Sequence, residues 1–384
     1  GAVAPFDAVV CMNKLKKALF DARAPDVKAR VQGQMRSFGG VVEQHMKIMP
    51  TQHLAIALNS VGAGARQWDG LFRAASARCR AISDPSEFTP QALSMVVNAF
   101  AKSRLRDEEL LLHLAKLAPD MEVSPRDFSC QSISIIANAY AKLDVHCEEL
   151  FEFLAELAMS KPDGFTAQAL GTICNAFSKF NIRNTDLLQH VSELTRKTRP
   201  WDMDAQAISN IANSFSKLEV SDPPLFEYLS ASACRLAESR GASFEPQSVA
   251  TILNSFAKAD ALDEPLFRAM SARAKTMPPQ AFMAQDVANI INAQSKLTVR
   301  DEELVAHLCK GAVRIRPSDW SAQAISNTLQ GLAVLNVDET TCGPLIKSLG
   351  DALAEIPASS LQAADVAHLA WSAAVLELHD SRVL

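Results

Sequence analysis

The chain has 384 residues, of which 48% are hydrophobic, 6% aromatic and 21% charged. That apolar share supplies a large core and excludes a disordered chain. Few aromatics, 14 Gly and 18 Pro disfavour a β-sandwich, a β-barrel and a collagen-like repeat. A formal net charge of −5 excludes a surface that is basic throughout, the usual mark of strong non-specific nucleic-acid binding.

Residues 1–48 carry no internal repeat. Two helices are predicted there, Asn13 to Ala22 and Pro25 to Phe38, forming an N-terminal helical cap. The stretch from Gly1 to Pro5 has neither an initiator methionine nor the basic segment of a signal peptide, which leaves room for a removed targeting segment. No apolar run reaches the roughly 18–20 residues of a membrane span, so no membrane insertion is expected.

From residue 49 onward the sequence repeats. Six copies share one pattern: Gln91, Asn98, Lys102; Gln131, Asn138, Lys142; Gln168, Asn175, Lys179; Gln206, Asn213, Lys217; Gln247, Asn254, Lys258; and Gln285, Asn292, Lys296. Weaker copies are anchored on Gln52, Gln323 and Ala364. The anchors are spaced by 39, 40, 37, 38, 41, 38, 38 and 41 residues, giving nine copies. A period of this size predicts an all-α fold, an α-solenoid of about nine stacked two-helix repeats over residues 49–384. The last copy is incomplete: its second helix would begin near Leu384.

Each copy, numbered from its anchor as position 0, reads as helix A then helix B. Thr89, Ser129, Thr166, Asp204 and Ser321 at −2 are N-cap residues for helix A. Asp107, Asn184, Asp222, Asp263 and Asp301 at +16 are N-caps for helix B. Acidic pairs such as Glu108-Glu109 and Glu302-Glu303 suit the positive end of that helix. An aromatic at −3 (Phe88, Phe128, Phe165, Phe244, Phe282, Trp320) is expected to plug the seam between copies.

At about 100° per residue, positions +2, +5, +6, +9 and +12 form the apolar face of helix A. Positions 0, +4, +7 and +11 lie opposite, within about 60° of one another, and hold Gln, a variable residue, Asn and Lys. Repeated Asn and Gln either satisfy one another between copies or face a ligand. Lysine complements a helix C-terminus by about 0.3–1 kcal/mol. Arginine would serve equally, yet all six positions are lysine, which points to phosphates. The variable position holds Met95, Ile135, Thr172, Asn210, Thr251, Asn289 and Asn327. It either drifts freely or reads one base per copy. The candidate RNA-binding residues are therefore the six lysines, the six asparagines at +7, and Thr172, Asn210, Thr251, Asn289 and Asn327.

No catalytic constellation is apparent, and an enzyme is not expected. The eight cysteines form no CxxC pair and read as small buried hydrophobes in a reducing compartment. The eight histidines show no metal-ligand spacing, and neither a metal nor a cofactor is implied.

The stretch from Asp204 to Leu218, followed by Pro223, Pro224, Leu225 and Phe226, resembles the octotricopeptide-type repeat. The heptatricopeptide variant and the arrays of RAP-domain proteins are similar, and Asp365 to Leu376 resembles the form with Trp at +7, here Trp371. The resemblance spans residues 49–384. It implies an organellar RNA-binding α-solenoid, mitochondrial or, alternatively, of the plastid, acting on transcripts or within an organellar ribosome. The implied partners are RNA, single-stranded or ribosomal, and proteins of a large organellar ribonucleoprotein complex. No RAP domain follows the array within these residues. The acidic balance fits the alternative role of a protein–protein scaffold in such a complex.

Overall fold

A computed structural model describes residues 4–62, 67–121, 124–239, 241 and 243–376. Among the described residues there are nineteen α-helices, short 3-10 turns and no strand. The chain forms two compact units: residues 1–165 with 175–190, and residues 166–174 with 191–384.

The first unit contains α1 (Pro5–Asp21), α2 (Pro25–Gln44), α3 (Thr51–Val61), α4 (Asp69–Arg80), α5 (Pro90–Ser103), α6 (Glu108–Leu117), α7 (Cys130–Leu143) and α8 (Glu148–Met159). Alternate helices stack. The A helices α1, α3, α5 and α7 pack each on the next, as do the B helices α2, α4, α6 and α8. Helices α9 (Ala167–Lys179) and α10 (Thr185–Lys197) contribute residues to both units.

The second unit adds α11 (Ala205–Lys217), α12 (Pro223–Glu238), α13 (Pro246–Lys258), α14 (Glu264–Thr276), α15 (Ala284–Lys296), α16 (Glu302–Ala312), α17 (Ala322–Val334), α18 (Glu339–Ala354) and α19 (Ala363–Val375). The same alternation holds: α11, α13, α15, α17 and α19 form one row, and α12, α14, α16 and α18 the other. Small residues let the A helices approach closely. A Cβ on Gly171 would lie 3.1 Å from the Ala207 Cα, and one on Gly331 only 2.5 Å from Ile291 Cγ2.

The expected caps form. Thr89, Ser129, Thr166, Asp204 and Ser321 each accept the N–H three residues on, at 2.7–3.2 Å. Asp107, Asn184, Asp222, Asp263 and Asp301 do the same for the B helices at 2.8–3.1 Å. Each satisfies one of the free first-turn donors of its helix.

The A helices end in a uniform way. Arg104, Asp144, Asn181, Glu219, Asp260, Thr298 and Asn336, all at position +13, take positive φ between 48° and 57°. The next N–H returns to the carbonyl of position +9, as from Leu105 to Phe100 at 3.0 Å and from Val299 to Gln294 at 3.0 Å. This is the Schellman closure, here without glycine. It turns the chain sharply and leaves position +11 at the open end of each of these seven A helices.

Phe88, Phe128, Phe244, Phe282 and Trp320 are buried and Phe165 is half-buried. Phe128 meets Phe153 edge-on at 5.5 Å, and Arg273 lies 5.6 Å over Phe244.

Helices α1 and α2 are longer than their sequence pattern predicts. Helix α1 starts at Pro5 rather than Asn13, because Ala8, Val9 and Met12 are fully buried and Phe6 meets His53 of α3 in a tilted pair at 4.9 Å. Helix α2 runs through Gly39 to Gln44 instead of ending at Phe38. The Trp68 ring occupies the space where a Gly39 Cβ would sit, 2.2 Å away. Residues 377–384, where a further B helix was expected to begin, lie outside the described residues.

Candidate nucleic-acid interface

Helix periodicity places four positions of each A helix on the face opposite the core, and the structure grades them by depth. The anchors Gln91, Gln131, Gln168, Gln206, Gln247 and Gln285 are exposed, and so are Lys102, Lys142, Lys179, Lys217, Lys258 and Lys296. Between them the +4 residues Met95, Ile135, Thr172, Asn210, Thr251, Asn289 and Asn327 are all half-buried. At +7, Asn98, Asn138, Asn175, Asn213 and Asn292 are half-buried, whereas Asn254 is only 5% exposed. Within each unit the face is thus a shallow trough of amides and hydroxyls, with Met95 and Ile135 among them in the first, and with ammonium groups at one edge.

Some of these side chains already have partners. Asn292 Nδ2 donates to Asn254 Oδ1 at 3.2 Å, linking two successive A helices. Gln285 Nε2 donates to Asn289 Oδ1 at 3.0 Å, one turn along the same helix. The Thr172 hydroxyl donates to the Gln168 carbonyl at 2.7 Å. In the first unit Lys179 pairs with Asp144 at 3.2 Å. Both partners are well exposed, so the pair holds its lysine only weakly.

The lysines of the second unit sense one another. Desolvation first, then the positive charges of Lys296 and Lys217, lower the Lys258 pKa below its ordinary value of 10.5. Three cations held that close raise the local potential and attract an anion. In the first unit the row gains a member that the repeat pattern does not contain. The copy anchored on Gln52 has alanine, not lysine, eleven residues on. Lys16 of α1 reaches over α3 and donates to the Asn59 carbonyl at 2.7 Å. Its pKa is lowered by desolvation and then by the charge of Lys102. Lys16 was invisible to the repeat because α1 lies outside the register; only the stacking of α1 on α3 brings it there.

Nucleophilic chemistry finds little support in the cysteines. Burial pushes the thiols of Cys79, Cys174 and Cys309 up to about 12, where they are protonated near neutrality. Among the described residues no group of three His, Cys, Asp or Glu is placed to hold a metal ion, and no helix is long and apolar enough to cross a membrane.

A family described as "RNA-editing substrate-binding complex 6 protein" (RESC6) matches residues 91–381. The chain belongs to this family. The RESC6 match opens on Gln91, the first anchor followed by both Asn and Lys, and takes in all six lysine-bearing copies. Lys16 and the helices α1 to α4 precede it. No curated protein matches the chain significantly. Among solved structures, yeast Rmd9p in complex with a 16-nucleotide target RNA is 10% identical, with 97% of this chain and 85% of that chain covered and a TM-score of 0.39. A likeness that loose fixes neither repeat register nor site.

Proposed function

We propose that this chain is an RNA-binding helical-repeat protein whose A-helix face carries single-stranded RNA. Phosphates meet the ammonium row, and bases meet the half-buried residues at +4 and +7. The observation that carries the reading is the row itself: six exposed lysines at one position, with the Lys258 pKa lowered by desolvation and then by the charges of Lys296 and Lys217. A protein gains nothing in stability from clustering like charges, so the arrangement is best explained by an anionic ligand. The family description supports a place in an RNA-editing substrate-binding assembly. The octotricopeptide-type resemblance supports an organelle, and we place the protein in the mitochondrion, with residues 1–48 capping the array at 49–384. No enzymatic step is assigned to it.

The test is binding of a single-stranded RNA library over a salt series. Each phosphate contact on a single strand contributes about 0.7 to the slope of log affinity against log salt. Replacing Lys179, Lys217 and Lys258 together by Ala should flatten that slope by about two units. An unchanged slope sinks the reading.

A second reading has its own observation. The Asn292–Asn254 bond uses two members of the +7 column within the array, and the chain is acidic overall. Both fit an architectural subunit of a large organellar complex, such as a mitochondrial ribosome. It predicts that the protein stays in a large particle after nuclease treatment.

A further inference from the structure

Position +9 of helix A is the centre of each repeat's core. It holds Phe100, Tyr140, Phe177, Phe215 and Phe256 in successive copies, all buried. In α15 the residue is Gln294, also buried, with 2% exposure. The run of aromatic rings ends here on a shorter polar side chain, and the copies beyond it carry Leu332 and Ala373 at this position.

Beside Gln294 lies a cavity of about 550 Å³, open at one side and formed by α13 to α16 with the turn after α15. A related cleft of about 380 Å³ lies beside Phe100 in the first unit. The two share their framework. Ser76 bonds Asp107 and Arg80 pairs with Glu109 in one; Ser271 bonds Asp301 and Lys275 pairs with Glu303 in the other. The residue on the floor differs, and the hollow is larger where the ring is missing. Its size is that of a small-ligand pocket.

The floor also lacks a partner. Gln294 Oε1 accepts the Asp301 N–H at 2.9 Å, which fixes the orientation of the amide, since only the oxygen accepts. Its Nε2 is buried and has no acceptor among the described residues. Buried donors without acceptors are rare in native proteins. The walls are apolar: Leu253, Phe267, Leu297 and Leu304. The rim is acidic. Lys275 is held by Asp301 and Glu303 at 3.1 and 3.0 Å and Arg300 by Glu302 at 3.0 Å, while Glu264 and Arg268 add one charge of each sign, which leaves one carboxylate in excess.

We propose that this hollow is a docking site for a tyrosine side chain of a partner protein, presented between basic residues. The ring takes the place of the Phe or Tyr of the five preceding copies, and the phenol oxygen accepts from Gln294 Nε2. The chain holds an internal precedent: Tyr140 occupies this position in α7 with its hydroxyl bonded to the Leu111 carbonyl at 2.7 Å. The acidic rim favours lysine or arginine beside the tyrosine. A nucleobase has the right flatness, but it brings a phosphodiester onto those carboxylates. The site goes beyond the RNA reading and uses none of its residues.

The probe is a labelled peptide, acetyl-Lys-Arg-Tyr-Arg-Lys-amide, titrated with the full chain and read by anisotropy. The tyrosine peptide should bind at least tenfold tighter than the same peptide with Ala at its centre. Gln294→Phe, which supplies the ring of the five preceding copies, should lose at least tenfold for the peptide and leave RNA binding unchanged. The pair Glu264→Lys and Glu302→Lys, both on the surface, should weaken the peptide about fivefold without risk to the core. Equal binding of the Ala-centred peptide, unaltered binding to both variants, or displacement of the peptide by uridine monophosphate would each overturn the proposal, as would no binding to the native chain.

Discussion

Asn292 Nδ2 donates to Asn254 Oδ1 across the interface between α13 and α15. The two residues hold the same position in successive repeats, so the bond is a rung of a ladder along the A-helix row. Asn254 is almost fully buried by this packing, whereas Asn292 remains half open. Replacing Asn254 by Ala leaves the Asn292 amide without its acceptor. Asn292 is half open, so water takes up its donor and the loss is the net worth of one hydrogen bond, about 0.5–1.5 kcal/mol. The expected outcome is a loss of that size in urea unfolding, larger than for Asn213→Ala, whose side chain is half open.

That ladder also shows what a sequence conveys and what it withholds. The caps at Thr89, Asp204, Asp107 and Asp301 were legible because their chemistry is local: a short oxygen side chain three residues before a free N–H. The exposure of Lys102 to Lys296 was legible because helical geometry alone sets it. The depth of Asn254 was not, since it depends on how closely α13 and α15 approach. Nor were the helix ends at +13, where no glycine marks the left-handed residue. The place of Lys16 depends on stacking between helices with no common register. Gln294 was legible only by reading down the +9 column and noticing the break, and its unsatisfied amide needed coordinates.

Thr298 is a β-branched residue at φ 53°, at the end of α15. Such residues are strained in the left-handed region by about 1–2 kcal/mol relative to Gly. The equivalent positions hold Asn181 and Asn336, which adopt it more readily. Thr298→Asn should therefore raise stability by about 0.5–1 kcal/mol, read as a shift in the urea midpoint without a change in slope. A fall in stability would mean that the Thr298 hydroxyl, bonded to the Leu297 carbonyl at 2.7 Å, outweighs the backbone strain.

Two helical glycines should respond in opposite directions to the same change. A Cβ on Gly311 in α16 would lie 2.0 Å from the Pro279 carbonyl oxygen, which belongs to the backbone and has little room to move. Gly311→Ala should cost about 1–3 kcal/mol through overpacking. Gly33 in α2 is exposed and has nothing within 4 Å of its missing Cβ. Gly33→Ala should stabilise by about 0.5–1 kcal/mol, through helix propensity and the lower entropy of the unfolded chain. Thermal melts of the two variants decide both signs.

Lys258 offers a direct view of the ammonium row. Its folded pKa lies below 10.5, through desolvation and then the charges of Lys296 and Lys217. Between the folded and unfolded values the unfolded chain binds more protons, so stability rises with pH over that interval. The penalty, of desolvation first and of repulsion second, is fully present below the folded pKa, and it fades as pH climbs towards 10.5. Lys258→Gln removes it, and should stabilise the free protein slightly near neutrality while weakening RNA binding. NMR titration of the Lys258 side-chain nitrogen should give a pKa below 10.5 in the free protein. Single-stranded RNA should raise it, because a phosphate beside the ammonium favours the charged form. The Lys16 nitrogen, lowered by desolvation and by Lys102, should move the same way if RNA extends onto α1. A Lys258 pKa that RNA leaves in place would remove this lysine from the interface.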